Sequence, residues 1–195
     1  VDTIRSIGRQ SMFIACDVSD VSQVDAMVEQ VVQSFGRLDI ALNNAGIADA
    51  RPGSSIEASA LISWEKTLAV NLNGTFYCCR AEAKHMIPRR YGKIINTSSS
   101  CGTIIPHLPV IDAGVLPYSV SKAGVKHMSK ALAAEWAPYN ICVNSISPGY
   151  VMTPLIAGKP TDAVELDNQA TPMRRPAQPE EMVGGVLYLA SDASS

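Results

Sequence analysis

The sequence predicts an α/β fold, a doubly wound parallel sheet with helices on both faces. Two observations carry the prediction: short apolar runs alternate with longer segments of helical periodicity, and three of the apolar runs end abruptly in small polar residues. In open α/β sheets ligands bind at the carboxyl ends of the strands, so those polar ends mark one crevice. No internal repeat or low-complexity tract competes with this reading.

Residues 11–16 (SMFIAC) read as a buried strand, with Asp17-Val18-Ser19 after it as a helix-start signal. Val21, Val24, Val28, Val31, Val32 and Phe35 then form one helical stripe, closed by Gly36 at a C-cap position. A second strand, residues 38–42, ends in Asn43-Asn44-Ala45-Gly46. Residues 47–63 read as a loop, and a long helix is expected from Trp64 to about Ile87, where Pro88 stops it. The third strand, residues 92–96, runs into Thr97-Ser98-Ser99-Ser100. After a loop holding Pro106, Pro109 and Pro117, a helix is expected from near Tyr118 to Ala137, ahead of Pro138. Residues 141–146 form the fourth strand, breaking at Pro148-Gly149. Residues 150–178 carry four prolines and little periodicity, the profile of a binding loop. A last helix starts at Pro179-Glu180-Glu181, its acids at the positive end of the macrodipole. Gly184 and Gly185 within it cost about 1 kcal/mol each against Ala, which packing must offset.

The chemistry centres on Tyr118 and Lys122. Four residues apart on a helix, they share a face. A cation beside a phenol favours phenolate, which would lower the phenol pKa from about 10 and make a usable general acid/base. Such a pair also arises by chance, so the three strand ends facing it supply the context.

Composition excludes several classes. The net charge is −2 with no basic block, against a nucleic-acid or anionic-membrane surface. No apolar run approaches the roughly 20 residues that span a bilayer. Five cysteines without a CxxC pattern read as reduced, buried thiols of a cytosolic protein. The three histidines lack metal-ligand spacing, so no metal site is expected. Trp64 and Trp136 read as core or interface packing, and the stripe Val125, Met128, Leu132 fits either core or a subunit contact. His107 and Asp112 with Ser99 suggest a Ser/His/Asp hydrolase, but no G-x-S-x-G elbow accompanies them, and they read better as substrate-loop residues.

The constellation resembles the short-chain dehydrogenase/reductase family in its classical branch. The matches are Asp17-Val18 after a strand, Asn43-Asn44-Ala45-Gly46, Asn71 in Val70-Asn71-Leu72-Asn73-Gly74, Ser99 in Asn96-Thr97-Ser98-Ser99, Tyr118-x-x-x-Lys122, and Pro148-Gly149-x-x-x-Thr153. The resemblance implies a Rossmann-like sheet and an NAD- or NADP-dependent oxidoreductase interconverting a ketone and a secondary alcohol. By the same resemblance Tyr118 is general acid/base, Lys122 lowers its pKa and binds the nicotinamide ribose, Ser99 holds the substrate oxygen, and Asn71 positions a water toward Lys122. Asn44, Ala45 and Gly46 would line the cofactor, Asp17 with Val18 would meet the adenine, and Val151 and Thr153 would fix the carboxamide beside Pro148-Gly149. Asn43 would stabilise its turn. Residues 133–137 and 148–155 look most like sugar and polyol reductases, so a polyol/ketose pair is the first substrate expectation. A 3-oxoacyl-thioester reductase and a non-catalytic dinucleotide-binding scaffold or sensor are the alternatives. The family also implies a homodimer or homotetramer.

Two departures stand out. The family's glycine-rich TGxxxGxG turn, its first two strands and its last strand are not in the sequence, and the chain starts at Val1 without Met. It therefore reads as a single partial domain, residues 1–195, cut at both ends. In the family's strand order, residues 11–16 lie two strands from residues 38–42, leaving a gap of roughly 14 Å. The 195 residues alone are expected to be poorly stable and inactive.

Overall fold

The computed structural model describes residues 1–48, 58–105, 115–155 and 161–195. Helix α1 (Asp2–Ser6) precedes α2 (Val21–Phe35), strand β1 (Ile40–Asn43) and helix α3 (Ala58–Leu68). A π-helical turn (Ala69–Gly74) joins α3 to α4 (Thr75–Met86), followed by β2 (Gly92–Thr97), α5 (Val115–Trp136), β3 (Ile141–Ile146), α6 (Thr161–Ala170) and α7 (Val183–Ala190). The three strands form a parallel sheet in the order β1-β2-β3, with Ala41 opposite Ile94 and Ile94 opposite Val143. Parallel neighbours need crossovers, which α3–α4 and α5 provide.

One face of the sheet carries the main core. Ala41, Ile94, Ile141 and Val143 pack against Cys79, Ala83 and Met86 of α4 and Leu132 and Trp136 of α5. Val125 and Leu132 are buried and Met128 packs on this cluster, so that stripe belongs to the core. Behind α4, Val24 and Val28 of α2 meet Cys78 and Ala81. Side chains alternate along β2, so Lys93 points to the other face. There its Nζ donates to the carbonyl of Ser191 at 3.0 Å, a cation at the C-terminal end of α7. Over β1 that second face is open, with Ile40 and Leu42 each 47% exposed.

Both core helices end alike. Short 3₁₀ turns containing Pro88 and Pro138 give way to left-handed Arg90 and Asn140, and Asn140 Nδ2 donates to the Arg90 carbonyl at 2.8 Å. Those two proline stops agree with the sequence reading. No described helix is long and apolar enough to cross a membrane.

Several expectations need correction. Residues 11–16 form no ladder with any described strand, and Phe13 is 80% exposed. A strand is defined by its neighbours, and its apolar composition alone does not supply them. Asp20, not Asp17, caps α2, accepting from the amides of Ser22 and Gln23. The loop expected over 47–63 gives way to α3 from Ala58, and the long helix after it is interrupted by the π turn. Helix α5 starts three residues before Tyr118, because Pro117 in a first turn has no amide partner to lose. The irregular stretch 150–178 contains α6, and Val151 forms a parallel bridge with Ala177. Gly184 and Gly185 face open space, and α7 is held to the sheet elsewhere, through Lys93 at its C-terminal end. All five cysteines are free, but only Cys78 and Cys79 are buried. His107, Asp112 and the Pro106–Pro109 loop lie outside the described residues.

Candidate active site

The carboxyl ends of β2 and β3 are tied into one platform. Past the last paired residues, Ser98 N donates to the Ile146 carbonyl at 2.8 Å and Ser100 N to the Pro148 carbonyl at 2.9 Å. Ser99, between them, has an extended backbone, and its Oγ accepts from Cys101 N at 3.2 Å, capping the tight turn Ser100–Gly102. That turn packs directly on α5. A β-carbon at Gly102 would stand 2.7 Å from the Lys122 carbonyl carbon and 2.8 Å from Ala123 N, so only glycine allows this approach.

Helix α5 is fastened to the platform at Lys122. Its Nζ donates to the Thr97 carbonyl at 2.7 Å, and its own carbonyl accepts from Ser98 Oγ at 2.7 Å. Lys122 lies over the Tyr118 ring, 5.7 Å from the centroid, as the four-residue spacing predicts. The Ser99 side chain lies beside the phenol and favours its ionised form. Ser99, Tyr118 and Lys122 therefore meet where the strand ends suggested.

Asn71 joins them from the π turn. It is fully buried, and its side-chain amide clamps one residue: Oδ1 accepts from Ile47 N at 2.8 Å while Nδ2 donates to Ile47 O at 2.9 Å. Nδ2 also reaches Ser121 Oγ at 3.1 Å, and Ser121 in turn donates to the Tyr118 carbonyl at 2.7 Å. The exposed turn Asn44-Ala45-Gly46 is thus anchored just beyond its end. A β-carbon at Gly46 would be 3.3 Å from Lys122 Nζ and 3.4 Å from Asn71 Oδ1, so this turn runs close over both polar groups. An exposed turn beside a buried ammonium suits a polar, ribose-bearing cofactor.

The electrostatics correct one expectation. Burial raises the Tyr118 pKa above its ordinary value, the Ser99 side chain opposes this, and the nearby Cys101 raises it further. Burial lowers Lys122 to about 8. The cation does not draw the phenol down here, because its ammonium is committed to the Thr97 carbonyl and desolvation penalises both charges.

The remaining predicted residues are spread around this centre. Asp17 is exposed, its Oδ1 accepting from Ser19 N and Oγ at 2.9 and 2.7 Å, which lowers its pKa. Val18 packs on the π turn, where a β-carbon at Gly74 would lie 2.8 Å from its Cγ2. Pro148 meets the Ser99 loop through its carbonyl. Gly149 is exposed, and Val151 and Thr153 flank Met152, whose amide donates to the Ala177 carbonyl at 2.8 Å. Asn43 holds its strand end through Asn96, as expected of a turn stabiliser. Sequence reasoning missed Ser98 and Ser121, which hold α5. Their signal was a run of hydroxyls at a strand end and a hydroxyl one residue before Lys122. It also missed Glu82, a carboxyl on the apolar stripe of α4.

Known proteins match this arrangement. A family model described as enoyl-(acyl carrier protein) reductase matches residues 1–195. The chain is 36% identical to sorbose reductase from Candida albicans over 92% of its length, and it spans 62% of the length of that relative. A crystal structure of a short-chain type dehydrogenase/reductase from Mycobacterium marinum superposes with a TM-score of 0.90 at 38% identity, covering 99% of this chain and 73% of that one. A gluconate 5-dehydrogenase from Burkholderia cenocepacia, solved with NADP and tartrate, superposes with a TM-score of 0.87 at 32% identity, covering 99% and 73%. With the motifs, the parallel sheet and these matches in agreement, the chain belongs to the short-chain dehydrogenase/reductase family.

Proposed function

We propose that the protein interconverts a ketone and a secondary alcohol with NAD or NADP, a polyol and its ketose being the first substrate pair. The observation that carries this reading is the contact of Ser99 with Tyr118, and of Tyr118 with Lys122, under the turn that ends at Gly46. The bound dinucleotide supplies or accepts the hydride. Tyr118 gives its phenolic proton to the carbonyl oxygen in reduction and takes it back in oxidation. Ser99 Oγ holds that oxygen beside the phenol. Lys122 stays protonated at neutral pH and offers an ammonium hydrogen to the cofactor ribose. Asn71 Oδ1 and Lys122 Nζ both face Gly46, which supports a shared water between them. Asp17 with Val18 would border the adenine, and Val151 and Thr153 the carboxamide. The likeness to a sorbose reductase supports the polyol/ketose choice, and the NADP-bound gluconate 5-dehydrogenase supports a dinucleotide. Phe76 on α4 and Val120 on α5 are exposed, which supports assembly of copies as a homodimer or homotetramer.

The test is a steady-state assay of the full-length protein with NADH and NADPH against fructose, xylulose and an acetoacetyl thioester. Turnover of a ketose, lost in Tyr118→Phe while cofactor binding persists, is expected. Preference for the thioester would replace the substrate assignment. Dinucleotide binding without turnover of any of them would make the protein a scaffold.

A further inference from the structure

Glu82 is a carboxyl in the interior, 4% exposed, on the face of α4 shared with Cys79, Ala83 and Met86. Its Oε2 accepts from Asn43 Nδ2 at 3.1 Å, and the same amide group donates to Asn96 Oδ1 at 3.0 Å. Cys79 Sγ also reaches Asn96 Oδ1, at 3.4 Å. Asn96 Nδ2 continues to Ser129 Oγ at 3.0 Å, and Ser129 donates to the Val125 carbonyl at 2.8 Å. This chain of polar groups crosses from α4 through the ends of β1 and β2 to α5.

Its position gives it leverage. Asn43 and Asn96 are paired across the β1–β2 ladder. Asn43 directly precedes the turn Asn44-Ala45-Gly46, and Asn96 directly precedes Thr97, whose carbonyl holds Lys122. No described cation accompanies Glu82. The titratable groups facing it are the thiols of Cys78 and Cys79 on its own helix, both pushed up and therefore neutral. From β1, β2 and α5 it meets the neutral Asn43, Asn96 and Ser129 network, and α2 turns Val24 and Val28 toward α4. An unpaired buried carboxylate is costly, and an acceptor for one amide would be supplied as well by a neutral side chain.

We propose that Glu82 is a positioning residue: through Asn43 it holds the cofactor-lining turn after β1 against the Lys122 anchor after β2, and that hold slackens when the carboxyl takes up a proton. The hydrogen bond from Asn43 is charge-assisted only while Glu82 is ionised. Burial raises its pKa to about 7, so the change falls near neutrality. The inference rests on the turn being cofactor-lining, as proposed above.

The experiment measures dinucleotide affinity of the full-length protein by nicotinamide fluorescence from pH 6 to 8, for wild type, Glu82→Gln and Glu82→Val, alongside turnover. Wild type is expected to bind about fivefold more tightly at the upper end. Glu82→Gln keeps an acceptor and cannot titrate, so the rise toward the upper end should be absent, leaving only the loss that comes as Lys122 nears its own pKa of about 8. Glu82→Val should raise the cofactor KM with a much smaller effect on kcat. A Glu82→Gln curve that follows wild type overturns the proposal, and this comparison decides it alone if Glu82→Val does not fold. Binding with the expected pH dependence but without turnover defeats the reductase reading and leaves this one standing; a wild type that binds no dinucleotide defeats both.

Discussion

Lys122 and Thr97 are joined by a 2.7 Å hydrogen bond from Nζ to the main-chain carbonyl, so one ammonium both fastens α5 to the end of β2 and lies against the Tyr118 ring. Position and chemistry are therefore inseparable at this residue. Lys122→Met should leave the Thr97 carbonyl without its donor and lower kcat/KM by at least about 100-fold, as loss of a positioned acid/base partner does. A Lys122→Met variant that keeps wild-type kcat/KM would show that neither the anchor on Thr97 nor the ammonium matters to turnover.

Asn71 is expected to be costly to replace for reasons of architecture. Its side-chain amide, itself fully buried, makes both hydrogen bonds to the Ile47 backbone. Asn71→Leu is close in size but leaves the Ile47 amide and carbonyl unsatisfied, which should destabilise the protein by roughly 2–4 kcal/mol. Urea unfolding reads this directly, and cofactor affinity should fall with it because the Gly46 turn loses its anchor.

Two buried groups predict a trough in stability against pH. The folded pKa of Glu82 is raised to about 7, so its contribution is full below the unfolded value and is lost as pH rises through about 7. Lys122 is lowered to about 8, so its contribution is present at high pH and is lost as pH falls through about 8. Stability should therefore be lowest between these values, each limb spanning at most roughly 3 kcal/mol. Tyr118, raised above its ordinary value, ends the alkaline gain. Thermal melts should show Glu82→Gln flattening only the acid side and Lys122→Met only the alkaline side. A monotonic wild-type profile would contradict the burial of these two charges.

Gly102→Ala tests the packing of the Ser99 loop on α5. The added methyl meets backbone atoms of Lys122 and Ala123, which cannot swing away. The loop must move, taking Ser99 from Tyr118, and kcat should drop about 10- to 100-fold. Gly184→Ala, on α7 away from the candidate site, faces open space and should be close to wild type in the same assay.

Much of the site was legible because its spacing is local. Tyr118 and Lys122 share a face by helical geometry alone, and strands 92–96 and 141–146 announce their ends by a switch from apolar to small polar residues. The convergence of the strand ends on the Tyr118 helix followed from that, while the strand order and the pairing of Ser99 with Tyr118 came from the family resemblance. Residues 11–16 form no ladder because a strand needs partners, and the family's strand order had already left this run without a neighbour. The π turn at Asn71 was hidden because no residue type specifies it. The expected effect of Lys122 on Tyr118 failed because proximity was visible and desolvation was not. Glu82 went unnoticed because a single acid on an apolar stripe becomes legible only when Asn43 and Asn96 are seen to reach it.

The π turn Ala69–Gly74 carries one residue more than the α-helical turn it replaces. Deleting a single residue there would let α3 and α4 run on as one continuous rod, with every side chain before the cut rotated by about 100° relative to those after it. Cys79, Ala83 and Met86 are locked in the core, so the rotation would fall on α3 and on Asn71 itself. Asn71 and Gly74 apart, this stretch should accept a change of residue more readily than a change of length.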